Sequence, residues 1–228
     1  MLSFRCPAVT EGAAVLLDAL GTLIALEPPA PRLRTELAGR FGLSVSVSEA
    51  ERAIAAEIAY YRAHLNEGRD RASVDDLRSR CGLVLGDALG VSLPVTEALL
   101  ASLVFTVFDD VVPALGALRA RGVRLVVASN WDWSLHEVLQ RVGLAPLLDG
   151  VVTSAEAGAP KPALAVFERA LGIAGVPAAR AIHVGDSFKE DVLGARAAGV
   201  EPVLIRRDRG PVSSDVRTVS SLRDLVNP

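Results

Sequence analysis

Lysine is nearly absent from this chain: Lys161 and Lys189 stand against 22 arginines. Cysteine is as scarce, with only Cys6 and Cys81, far apart and without CxxC spacing. That pattern argues against a disulfide framework and a thiolate zinc site and points to a reducing compartment. An excess of either charge is missing too. A net charge of −3 with no basic cluster gives no electrostatic reason to expect nucleic acid. Long hydrophobic runs are also lacking: the longest, near Leu99 to Phe108, is too short to span a bilayer. The opening "MLSFRCPAVTEG" shows no basic region followed by an apolar stretch. The expectation is a cytoplasmic protein, monomer or homodimer, that meets a small molecule and neither nucleic acid nor membrane.

What is present is a core. Half of the residues are apolar and 22% are charged, a balance that excludes a disordered or collagen-like chain. At this length a folded chain buries roughly 70% of its unfolded surface. Five short apolar runs, Ala13 to Leu17, Val123 to Ala128, Gly150 to Val152, Ala181 to Val184 and Pro202 to Ile205, do not alternate with polar residues. Such runs fit parallel strands buried on both faces. Between most of them lie helical spacings, at Asp110 to Arg121, Ser134 to Val142, Pro162 to Leu171 and Glu190 to Ala198, with Gly122 and Gly199 as stops. The alternation predicts a doubly wound, Rossmann-like α/β core.

One interval breaks the rhythm. Glu27 to Phe108 carries helical patterns, Ser48 to Asn66 and Ser73 to Leu89 among them, and no clear strand. It is expected to be an all-helical insert, entered through "EPPAP" (Glu27 to Pro31), a stiff segment suited to a hinge. The expected organisation is a core of residues 1–26 and 109–228 with an insert at 27–108. The tail from Ser213 to Pro228 reads as a loop and a last helix.

In open parallel sheets, ligands bind beyond the carboxyl ends of the strands. There the chain places Asp18 in "LLDALGTL", then Ser129 and Asn130, then Lys161 and Pro162, then "GDSFKED" from Gly185 to Asp191. Each has a local reading. Asp18 suits a turn, Ser129, Asn130 and Asp132 suit helix caps, and Asp186, Ser187 and Asp191 suit a helix start. Lys161 is harder to place, because a cation before a helix opened by Pro162 opposes the helix dipole unless an anion lies nearby. Taken together, Asp18 can attack an electrophile while Ser129, Asn130 and Lys161 hold an anionic group. Asp186 and Asp191 supply oxygen ligands for a hard divalent ion, for which magnesium fits best. His183 reads as a buried strand residue, and His64 and His136 lack metal spacing.

With "DALGT", "SN", "KP" and "GDSFKED" in that order, the sequence resembles the haloacid dehalogenase-like hydrolases over nearly its whole length. The resemblance implies that Asp18 is the nucleophile of an aspartyl intermediate. It also implies that the backbone carbonyl of Leu20 joins Asp18 and Asp186 around magnesium, with Asp191 in support, and that 27–108 is a cap that closes over the site.

Leu20 departs from the family pattern. Phosphatases of the family carry there an aspartate that protonates the leaving oxygen, a contribution on the order of 10²- to 10⁴-fold. The expected function is therefore a magnesium-dependent phosphatase of a small phosphorylated metabolite, favouring good leaving groups. The alternatives are a 2-haloacid dehalogenase, whose halide needs no proton, and a catalytically silent member that binds a phospholigand or a protein. Gly185-Asp186 argues against the dehalogenase, and phosphonoacetaldehyde hydrolysis is disfavoured because no lysine precedes Lys161.

Overall fold

The computed structural model describes residues 11–207 and 215–226. From β1 (Ala14–Leu17) the chain passes through β2 (Ile24–Leu26) into four helices: α1 (Pro29–Phe41), α2 (Val47–His64), α3 (Arg71–Leu89) and α4 (Thr96–Ser102). It returns through β3 (Phe105–Val107) to α5 (Val111–Ala120), β4 (Arg124–Ser129), α6 (Leu135–Arg141), β5 (Gly150–Thr153), α7 (Ser154–Ala157) and α8 (Leu164–Ala174). The last elements are β6 (Ala181–Gly185), α9 (Leu193–Ala197), β7 (Glu201–Ile205) and β8 (Arg217–Val219).

Six strands form one sheet in the order β5-β4-β1-β6-β7-β8, and all neighbouring strands in it pair in parallel. β1 lies in the middle, and all four of its residues are fully buried. Its unbroken apolar run is what a strand covered on both faces requires. On one face Leu16, Val126 and Val152 pack with Phe167, Val166 and Ala170 of α8. The order reverses at β1, since the chain moves outward through β4 and β5 and then returns to β6 on the other side. Such a reversal opens a crevice at the carboxyl ends of the strands.

The remaining compact unit is helical: Leu26–Thr106 joined by Asp132–Ser134. Leu33, Leu37, Ala53, Leu77, Leu85 and Leu99 form its core. Ser46 opens α2 and Asp70 opens α3 with reciprocal capping boxes that satisfy donors left free at a helix start. Asp132–Ser134, remote in sequence, belongs here because the Trp133 amide donates to the Gly68 carbonyl (2.8 Å) and the Arg71 guanidinium lies over the Trp133 ring (5.6 Å). No helix among the described residues is long and apolar enough to cross a membrane.

Three local expectations are corrected. Glu27 to Phe108 does contain a strand, β3, which pairs with β2 in a separate two-stranded sheet. At three residues it is too short to show a period. The tail forms β8 and then a 3₁₀ turn, Leu222–Leu225, in place of a helix; Val219 is buried at the sheet margin, so a strand reaches the core where a helix of that length would not. Residues 213, 214, 227 and 228 of that tail, and Cys6, lie outside the described residues. α8 begins at Leu164 and not at Pro162, so Lys161 is not at the helix start.

One buried charge holds the end of the chain to the sheet. Asp110 Oδ1 accepts from Arg207 Nη1 (2.6 Å), and Oδ2 accepts from the Ser221 hydroxyl (2.8 Å) and the Leu222 amide (2.6 Å). Burial raises the Asp110 pKa, but these donors outweigh it and hold the carboxyl below the usual range. Breaking a buried pair by removing one partner strands the other charge and costs about 3 kcal/mol. Asp110→Ala is expected to lose that much in a denaturant titration at neutral pH. A loss within error of zero would show that solvent already satisfies Arg207.

Candidate active site

The strand register builds the site. Leu17 pairs with Val127 on one side and Val184 on the other. One residue further along each strand come Asp18, Ala128 and Gly185, and one beyond those, Ser129 and Asp186. The Asp18 amide donates to the Val184 carbonyl (2.9 Å), so the nucleophile candidate is pinned at the sheet end. The carboxylate then meets two donors on one oxygen: Ser129 Oγ at 2.9 Å and Lys161 Nζ at 2.7 Å, both on Oδ1. Among the described residues, Oδ2 takes no hydrogen bond.

Lys161 is the hub. Its side chain is 1% exposed, and its ammonium also donates to Asp191 Oδ1 at 2.6 Å. Burial opposes the ammonium charge, but the carboxylates of Asp18 and Asp191 outweigh it and raise the lysine pKa. Asp191 is tied further, accepting from His183 Nε2 (2.8 Å) on Oδ1 and from the Ser187 amide (2.9 Å) on Oδ2. Burial raises Asp191, yet Lys161 and His183 prevail and its pKa lies below the ordinary value. For Asp18 burial wins, helped by the Asp191 charge, and its pKa lies above the ordinary value despite Lys161.

Asn130 serves Lys161. Its Oδ1 accepts from the Lys161 amide (2.6 Å), and its Nδ2 donates to the Lys161 carbonyl (3.1 Å) and to Glu190 Oε2 (3.0 Å). The side-chain amide expected to hold substrate is thus engaged in holding the lysine backbone. Ser129 and Lys161 keep their heads at Asp18.

Asp186 completes an acidic trio. One carboxylate oxygen from each of Asp18, Asp186 and Asp191 lies within 4.8 Å of the others. Two glycines permit this. A Cβ on Gly21 would stand 2.2 Å from Asp186 Oδ2, and one on Gly185 would stand 2.1 Å from Asp191 Cγ. Gly21 also has φ of 78°, which only glycine adopts freely. Three carboxylates against one ammonium leave two negative charges when all are ionised, and every donor is oxygen. This is the chemistry of a site for a hard divalent cation, and magnesium fits it.

Leu20 behaves unlike a core leucine. It is 39% exposed, while the backbone around it is closely tied, with Gly21 donating to the Ile24 carbonyl (2.8 Å) and Leu23 to the Ala19 carbonyl (2.8 Å). His136 and His64 pair with Glu156 and Glu67. His183 is a buried strand residue as expected, but its bond to Asp191, the bond of Glu190 to Asn130 and the space that Gly21 and Gly185 leave for the acids are not legible in the sequence. A histidine inside an apolar strand, two residues before a glycine and an aspartate, was the available signal for His183.

A family model described as haloacid dehalogenase-like hydrolase matches residues 13–199. The chain belongs to the haloacid dehalogenase-like hydrolases. Among its relatives are the bovine (Bos taurus) "Haloacid dehalogenase-like hydrolase domain-containing protein 3", 41% identical over 99 residues, covering 43% of this chain and 39% of that one. The "Glyceraldehyde 3-phosphate phosphatase" of Methanothermobacter thermautotrophicus is 38% identical over 105 residues, 44% of this chain and 45% of that one. These matches span about two fifths of the relatives' length. A solved HAD phosphatase from Thermococcus onnurineus matches at a TM-score of 0.65 and 25% identity, over 94% of this chain and 96% of that one.

Within this member of the haloacid dehalogenase-like hydrolases, Asp186 is raised to about 6, by burial first and then by the charges of Asp18 and Asp191. A raised carboxyl pKa favours the protonated folded state, so this group's contribution to metal-free stability falls as pH climbs from the ordinary 3.8 to about 6. A divalent cation that bound the ionised trio would reverse the loss. Magnesium is expected to raise the thermal midpoint more at pH 7.5 than at pH 5, read by calorimetry with chelator as reference. An equal rise at both values would contradict it.

Proposed function

We propose that this hydrolase is a magnesium-dependent phosphatase that passes the phosphoryl group through Asp18 and works on substrates with good leaving groups. The observation that carries the reading is Asp18, buried at a sheet end with Oδ1 held by Ser129 and Lys161 and with Oδ2 accepting no hydrogen bond among the described residues. Asp18, Asp186, Asp191 and the Leu20 carbonyl would hold magnesium, which supplies charge neutralisation between an anionic nucleophile and an anionic phosphate.

The residues do the rest. Asp18 attacks phosphorus, forming a P–O bond as the bond to the leaving oxygen breaks and that oxygen departs with the electron pair. Ser129 and Lys161 offer donors to the phosphoryl oxygens, so the charge of the transition state is met by preorganised groups. Water then attacks the aspartyl phosphate, releasing phosphate and regenerating the carboxylate. With Leu20 in place of an acid, the leaving oxygen of an acyl or aryl phosphate departs unprotonated with little penalty, whereas an alkyl oxygen does not. The same absence leaves the attacking water without a base. The helical unit Leu26–Thr106 is proposed as the cap that excludes bulk water and shapes the choice of substrate. The relative named as a phosphatase of glyceraldehyde 3-phosphate supports a small phosphorylated metabolite as the size class of substrate, although that compound is an alkyl phosphate, the leaving-group type that Leu20 disfavours here.

Aryl phosphates are expected to be hydrolysed far faster than sugar phosphates, with a burst of aryl alcohol before a slower steady rate. Leu20→Asp is expected to raise turnover of alkyl phosphates by up to about 100-fold and of aryl phosphates by much less. Rates across a series of leaving groups, for parent and variant, check this. Unchanged leaving-group dependence in a folded Leu20→Asp variant would show that another residue already supplies the acid. Turnover of 2-haloacids in chelator would favour the dehalogenase instead.

A further inference from the structure

The paired arginines after β7 have no role in the chemistry above, yet they reach the two loops that carry it. β7 lies beside β6, and β6 beside β1. Arg206 follows the last residue of β7, and its Nη1 donates to the Asp186 carbonyl (3.3 Å). Arg207 reaches past the end of β6. Its Nη2 donates to the Thr22 carbonyl (2.5 Å), its Nη1 binds Asp110 (2.6 Å), and its guanidinium lies over the Phe108 ring (4.2 Å). A planar fork held by an anion, a carbonyl and a ring face has little freedom left.

Thr22 closes the turn that begins at Asp18. It is fully buried, and it follows Gly21, whose α-carbon faces the Asp186 carboxylate. Fixing the Thr22 carbonyl therefore fixes the Leu20–Gly21 backbone against Asp186. Both arginines bind backbone carbonyls, and among the described residues neither donates to the carboxylates of Asp18, Asp186 or Asp191. The arginines thus hold the loops of the trio without themselves covering its carboxylate oxygens.

We propose that Arg206 and Arg207 are positioning residues that hold the Asp18–Thr22 loop and Asp186 in the arrangement that receives a divalent cation; this rests on the magnesium-dependent reading above. Residues that support metal ligands from behind change metal affinity by about 10- to 100-fold when removed. A purely structural role through Asp110 would lower stability and leave affinity alone.

The test is calorimetric titration of the purified full chain with magnesium at pH 7.5, with thermal unfolding measured alongside, for the parent and four variants. Arg207→Met is expected to weaken magnesium binding by about tenfold or more. Arg207→Lys keeps a charge for Asp110 but cannot fork to Thr22 as well, and is expected to weaken binding by a smaller factor. Arg206→Met removes the longer bond and is expected to have the mildest effect of the three. Ser221→Ala, which removes only a bond to Asp110, is expected to lower the unfolding midpoint and leave magnesium affinity unchanged. Parent-like affinity in Arg207→Met, or in Arg207→Lys should the methionine variant fail to fold, overturns the proposal. A parent chain that binds no magnesium overturns the reading beneath it, a result distinct from variants that match a binding parent.

Discussion

A buried ammonium shared by two carboxylates is the interaction on which the site depends. Lys161 Nζ lies 2.7 Å from Asp18 and 2.6 Å from Asp191, with almost no exposure to water. Without those partners the charge could not stay there, since desolvating an ion costs several kcal/mol unless it is paired and hydrogen-bonded. Without the ammonium, the two acids and Asp186 would repel one another at close range. Much of the local architecture serves this arrangement. Asn130 grips the lysine backbone on both sides, His183 and the Ser187 amide hold Asp191, and Gly21 and Gly185 give up side chains so that the acids can approach.

The surplus of negative charge left by that arrangement has a directional consequence. Asp191 is held ionised by Lys161 and His183, whereas Asp186 is raised to about 6 by burial and by the charges of Asp18 and Asp191. One acid is therefore committed to the lysine, and another holds a proton up to about pH 6. Leu20 adds the second constraint. Its backbone is tightly turned and its side chain is partly exposed, so the local loop does not need leucine for packing. The proposed selectivity for good leaving groups rests on that one residue type.

Much of the core was legible because parallel strands advertise themselves as apolar runs and the residues just after them have few places to go. β1, β4, β5, β6 and β7 fall on such runs to within a residue or two; Asp18 and Ser129 follow two of them directly, and Asp186 follows a third after one glycine. What was illegible depends on pairing across long separations. β3 and β8 are three residues each, too short for any period to show. Asp132–Ser134 lies between two core segments in sequence and still clusters with the helical unit, through contacts to Gly68 and Arg71. Asn130 reads as a helix cap until its partner, 31 residues away, is seen to be the lysine backbone. The roles of Arg207 and Asp110 rest on contacts separated by 97 residues or more, which no local pattern encodes.

The central claim is that the phosphoryl group passes through Asp18. The direct measurement is rapid acid quench of the magnesium-loaded chain during turnover of an aryl phosphate, followed by mass spectrometry of the peptide carrying residue 18. The account predicts a phosphoryl group on Asp18 that appears within the burst, decays at the steady-state rate and is absent in Asp18→Asn. Turnover that proceeds with residue 18 unmodified, or with the phosphoryl group on another side chain, would contradict it.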